Sequence, residues 1–131
     1  MQNAKQIRVC YCGGTIMGPS IIEEKTLDFA VRIVNLCKFL QNEKKEYILY
    51  KQLFRCGTSI GANVAEAQQA QSRADFVSKL NIALKEAYET DYWLRLLHET
   101  NYLTESAFQS VISDCRELEK LLISIIKTAK E

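Results

Sequence analysis

The chain has 131 residues, one domain's worth of polypeptide and enough to bury a hydrophobic core without disulfide or metal staples. With 47% hydrophobic and 25% charged residues it is composed like a soluble globular protein, which argues against disorder. Lys plus Arg number 17 and Asp plus Glu 16, so the net charge is +1; this removes the simplest electrostatic case for nucleic-acid binding but leaves room for a local basic patch.

Residues 1–20 stand apart from the rest. They hold Gly13, Gly14, Gly18 and Pro19, out of five glycines and one proline in the whole chain. Gly13-Gly14 lacks the Gly-Lys-Ser/Thr of a phosphate loop. There is no long apolar stretch with a small-residue cleavage site, as a secretory signal requires. The segment reads as a loosely ordered extension, with Met17 an alternative start, and residues 21–131 as the folded domain.

From Ser20 onward the hydrophobic period is helical. The first helix is expected from Ser20 to Leu40, with Glu23 and Glu24 suited to the positive end of its dipole. The polar run Gln41 to Glu46 marks a turn. The second helix carries Tyr50, Leu53, Gly57, Ile60, Val64 and Ala67 at alternating spacings of three and four. Ser72 with Asp75 three residues on is an N-capping signature. The third helix then aligns Phe76, Leu80, Ala83, Ala87, Thr90, Leu94 and Leu97. Asn101 is its expected stop and Thr104 the next N-cap. The fourth helix aligns Phe108, Val111, Cys115, Leu118, Leu122, Ile125 and Ala129. Short turns and this spacing predict an all-α fold, an antiparallel up-down-up-down four-helix bundle. No apolar run approaches the roughly 20 residues of a membrane span.

The apolar residues of the first helix exceed one stripe. Leu27, Phe29, Ala30, Val31, Ile33, Val34, Leu36, Cys37, Phe39 and Leu40 wrap most of it, and the fourth helix adds Ile112, Leu121, Ile123 and Ile126 beside its seam. A single copy is expected to leave part of that area uncovered, which predicts a homo-oligomer.

The five cysteines, an odd and scattered set, are not a disulfide framework. Cys37, Cys56 and Cys115 lie among apolar residues and read as core thiols in a reducing, cytoplasmic setting; Cys10 and Cys12 have no partner pair at zinc spacing.

Ser59, Asn63 and Glu66 share one face of the second helix. Reflection about the turn near Ser72 sets Glu89 level with Arg55, Glu86 level with Ser59, and Glu66 near Lys79. This predicts a buried structural cluster in which Arg55 meets Glu89, Glu66 meets Lys79, and Ser59 or Asn63 reaches Glu86. A di-iron centre needs two Glu-x-x-His elements and the chain has a single histidine. His98 is also too far along the third helix to serve Ser59 in a triad. The expectation is therefore no enzyme, no cofactor, no metal and no small-molecule substrate. Lys44, Lys45 and Lys51, read as lying on the second helix, with Arg73 and Lys85 on the third, form a candidate nucleic-acid surface.

The stretch Ser59-Ile60-Gly61-Ala62-Asn63-Val64-Ala65-Glu66-Ala67 follows the pattern Ser-Ile-x-x-Asn-x-x-Glu-Gly, with Leu53-Phe54-Arg55 before it. Ser72-Arg73-Ala74-Asp75-Phe76, the Glu-rich run Ala83 to Thr90, and Leu97 to Leu103 follow in order. In these elements, from about Ile22 to Lys127, the chain resembles the bacterial four-helix-bundle proteins of the intervening sequences of 23S ribosomal RNA genes. It departs from the pattern at Ala67, where glycine is usual, and in lacking a proline before the second helix. The resemblance implies an antiparallel bundle, commonly a ring and often pentameric, with no catalytic residues. Among the relatives it implies are nucleic-acid-binding accessory proteins that work with a reverse transcriptase.

Overall fold

A computed structural model describes residues 20–131. The expected extension at residues 1–20 lies, but for Ser20, outside the described residues. Four helices account for nearly all of the rest: α1 (Ile21–Asn42), α2 (Leu49–Ala67), α3 (Arg73–Glu99) and α4 (Glu105–Lys130). No strand occurs among the described residues. α1 packs on α2 and α4, α2 on α3, and α3 on α4.

Each helix begins where a side chain satisfies its free backbone N–H groups. At α1 the Ser20 hydroxyl accepts from Glu23 N at 3.1 Å and the Glu23 carboxylate accepts from Ser20 N at 2.9 Å, a reciprocal capping box. Ser72 Oγ accepts from Asp75 N at 3.0 Å and Thr104 Oγ1 from Ala107 N at 3.1 Å. α2 starts differently. Its N-cap, Ile48, has no capping side chain. The buried carboxylate of Glu46 accepts instead from the N–H groups of Ile48, Leu49 and Tyr50, at 3.0, 2.7 and 2.7 Å. Turns are completed by Lys45 and Asn101, at φ 55° and 70°.

The core is one continuous apolar cluster. α2 offers α1 two glycines one turn apart. A Cβ at Gly57 would lie 2.9 Å from Ile33 Cγ1, and one at Gly61 would lie 3.3 Å from the Thr26 backbone oxygen. The two helices therefore approach closely.

The surplus of apolar residues is partly absorbed. On α4, Ile112 and Ile126 are buried and Leu121 packs against the core, leaving Ile123 exposed. α3 presents small residues there, Ala83 and Ala87, so α4 fills the space with a wider stripe. Ile126 rather than Ile125 takes the inner position, as expected when a straight helix drifts off a strict seven-residue repeat. On α1 the surplus stays outside: Leu27 is 64% and Val31 54% exposed.

Candidate functional site

Polar side chains join the helices along three seams. Between α2 and α3 the Arg55 guanidinium bonds Glu89 through Nη2, and its Nη1 lies 3.4 Å from Glu86 Oε1. Trp93 Nε1 donates to the same Glu89 oxygen at 3.0 Å. Lys79 Nζ stands 3.9 Å from both Glu66 and Asp75. Ser59 and Asn63 do not reach Glu86. Ser59 Oγ donates to Arg55 O at 2.7 Å and Asn63 Nδ2 to Ser59 O at 2.9 Å, both within α2. Short polar side chains on a helix find the carbonyl one turn back more readily than a neighbouring helix. It is the longer Arg55 that spans to Glu86. Nor is this cluster buried, since the Arg55 side chain is half exposed and the Glu66 side chain more so. It lines the rim of the seam, not the core.

The buried polar centre is elsewhere. Asp91 of α3 is 7% exposed. Its Oδ1 accepts from Arg95 Nε at 2.9 Å and from Arg116 Nη2 at 3.3 Å, and its Oδ2 from Arg116 Nε at 3.0 Å. Glu119 of α4 faces it, with Cys115 beside both; donor atoms of the three lie within 4.8 Å of one another. Burial raises the Asp91 pKa, but hydrogen bonds with Arg116, Glu119 and Arg95 outweigh it and hold the group below the ordinary value. Glu119 is pushed up to about 7 by burial and by its hydrogen bond and charge contact with Asp91. Burial, then the Glu119 charge, raise the Cys115 thiol. That thiol donates to Ala87 O at 3.4 Å. Asp91 holds guanidiniums from both helices, Arg95 on α3 and Arg116 on α4, so the trio clasps the two helices together.

Sequence reasoning did not find Asp91, Arg95, Arg116 and Glu119. The signal was present in part, because reflecting α3 onto α4 about the turn at Asn101–Thr104 sets Asp91 level with Asp114, two residues before Arg116. His98 Nε2 pairs with Glu105 Oε1 at 2.8 Å across the same turn and stacks on Phe108, ring centroids 4.1 Å apart.

The basic residues do not make one surface. Lys44 and Lys45 lie in the α1–α2 turn, not on α2. Lys51 borders a groove of about 450 Å³ between α1 and α2. Arg73 and Lys85 line a separate groove of about 750 Å³, joined by Lys130 of α4 and by Ser78 and Asn81.

Caps, close helix contacts and clasped ion pairs define an all-α four-helix protein whose polar side chains cap helices, bond back along them or pair across their seams. The sequence profile of the 23S rRNA-intervening sequence protein family matches residues 20–124, and the chain belongs to that family. It is also similar to a crystal structure of a protein of unknown function from the S23 ribosomal protein family of Bacteroides thetaiotaomicron VPI-5482. The identity is 63%, the match covers 81% of this chain and 98% of that one, and the TM-score is 0.80. No curated protein matches the chain. No helix among the described residues is long and apolar enough to cross a membrane.

Proposed function

We propose that the chain is a non-enzymatic, homo-oligomeric four-helix bundle that serves in the cytoplasm as a scaffold or binding module. Neighbouring helices run antiparallel, up-down-up-down. Cross-helix partners support this, since their numbers rise on one helix as they fall on the next. Arg55 with Glu89 and Glu66 with Lys79 do so on α2 and α3, Asp91 with Arg116 and His98 with Glu105 on α3 and α4. Lys25 with Glu117 and Arg32 with Asp114 do so on α1 and α4.

The observation that carries self-association is the apolar outer face of α1. Leu27 and Val31 stand one turn apart and largely exposed, and Leu27 borders a groove of about 380 Å³ floored by Ala30, Gly61, Ala62 and Ala65. An apolar strip beside an apolar groove suits a second copy of the same surface. A ring, pentameric in the family resemblance, is the expected assembly. The buried free thiols Cys37, Cys56 and Cys115 favour a reducing compartment. Asp91, Cys115 and Glu119 line none of the grooves described, which favours a structural over a catalytic role. Size-exclusion chromatography with light scattering at micromolar concentration tests the reading. A multiple of the chain mass is expected, and a single-chain mass overturns it.

The groove bearing Arg73, Lys85 and Lys130 favours a second reading, a nucleic-acid accessory protein acting with RNA or its polymerase partner. Binding of structured RNA that weakens with salt is its test; no binding at low salt removes it.

A further inference from the structure

The clasp between α3 and α4 lines neither the groove beside Leu27 nor the groove bearing Arg73 and Lys85. We propose that Asp91 and Glu119 hold one proton between them across the α3–α4 seam, making that seam a proton-dependent lock that loosens above neutral pH.

The geometry supports this in three ways. First, the two carboxylates belong to different helices and approach within 4.8 Å, with Asp91 almost fully buried. Two negative charges that close in a partly dry seam repel strongly, so one proton is retained. Second, both guanidiniums of the centre are committed to Asp91. Arg95 and Arg116 each bond it, and among the described residues no cation lies within ion-pair distance of Glu119. Asp91 is the natural anion and Glu119 the natural acid. Third, the one cation whose charge reaches Glu119 is Arg116, which favours the ionised form but is hydrogen-bonded to Asp91, and burial with the Asp91 contact outweighs it. Cys115, on its own helix, lies 3.8 Å from Glu119 Oε2 as a neutral thiol, and Cys56 of α2 acts on that thiol and not on Glu119. In the protonated form the Glu119 hydroxyl donates to Asp91, which accepts from both helices. Losing that proton replaces a donor–acceptor contact with a carboxylate pair.

The sign follows from linkage. A carboxyl that binds its proton more tightly in the folded chain than in the unfolded one contributes stability that is complete below its unfolded pKa. That contribution is lost as pH rises through the folded value. Glu119 thus favours the folded state at mildly acidic pH, and its contribution disappears around neutrality. Asp91, held low, acts in the opposite direction but only in strong acid, outside this window.

The test compares the full-length chain with Glu119→Gln, whose amide keeps a donor for Asp91 but cannot titrate. Denaturant unfolding is followed from pH 5 to pH 8 at one protein concentration. Relative to Glu119→Gln, the folding equilibrium constant of the natural chain is expected to fall about tenfold or more across that range. Hydrogen-exchange protection in the middle of α4, taken relative to the intrinsic base-catalysed rate at each pH, is expected to fall above neutral pH in the natural chain only. Parallel stability profiles for the two proteins overturn the proposal. A carboxyl carbon NMR titration of Glu119 in the natural chain decides independently of how the variant folds. A midpoint near neutral supports the shared proton, and an ordinary carboxylate midpoint overturns it.

Discussion

Gly57 of α2 sits so close to Ile33 of α1 that a Cβ there would come within 2.9 Å of both Cγ atoms of that side chain. Contacts that short force a shift of helix or rotamer. Gly57→Ala is expected to destabilise the protein by about 1–3 kcal/mol, even though alanine is the better helix former. Gly61→Ala, where the nearest atoms lie at 3.3 Å, is expected to be nearly neutral because helix propensity offsets the tighter contact. Urea unfolding of both variants checks the ranking. In a double mutant with Ile33→Ala the costs should sum to less than the two singles, because the clashing atoms are gone.

Glu46 is the hidden cap of α2. Replacing it with alanine removes three acceptor contacts from the otherwise unpaired N–H groups at the start of α2 and is expected to cost about 1–2 kcal/mol. Glu43→Ala, on an exposed residue of the same polar run, should change stability by less than about 0.5 kcal/mol. Thermal denaturation of the pair distinguishes a cap from a solvated turn.

The two cross-helix clusters should differ in weight. Arg55→Ala is expected to cost under about 1 kcal/mol, since its pairs with Glu86 and Glu89 lie at a half-exposed rim. Asp91→Ala strips Arg95, Arg116 and Glu119 of a shared buried acceptor and should cost about 2 kcal/mol or more. Equal losses would show that burial does not set the difference.

Val31→Glu places a charge in the exposed apolar strip of α1 without entering the core. It is expected to lower the assembly mass in light scattering while leaving helical circular dichroism unchanged. An unchanged mass would move the interface away from α1.

Three of the thiols are predicted to be inert in the folded protein. Burial pushes Cys37 up to about 12 and Cys56 up to about 11, and raises Cys115 as well. At pH 8 a thiol reagent should modify these three only after unfolding, as peptide mapping of the labelled chain would show.

The sequence alone determined the four helices, the N-caps Ser72 and Thr104, and the partners Arg55–Glu89 and Glu66–Lys79. Those features depend on local periodicity, on capping chemistry a few residues long, and on reflection about a short turn, all of which are written along the chain. Tertiary structure decided what depends on depth and distance. Glu46 looked like part of a solvated polar run until the turn folded it under α2. The rim cluster was expected to be buried, and Ser59 or Asn63 to cross to Glu86 of α3, because periodicity gives a residue's face but not how far that face lies from solvent. The surplus on α4 closed into the core because α3 offers alanines there, whereas that on α1 stayed outside. Asp91 on α3 and Arg116 with Glu119 on α4, each ordinary in its own helix, became one centre only when α3 and α4 packed. Their proton affinities are properties of that packing, because burial and neighbouring charge set them.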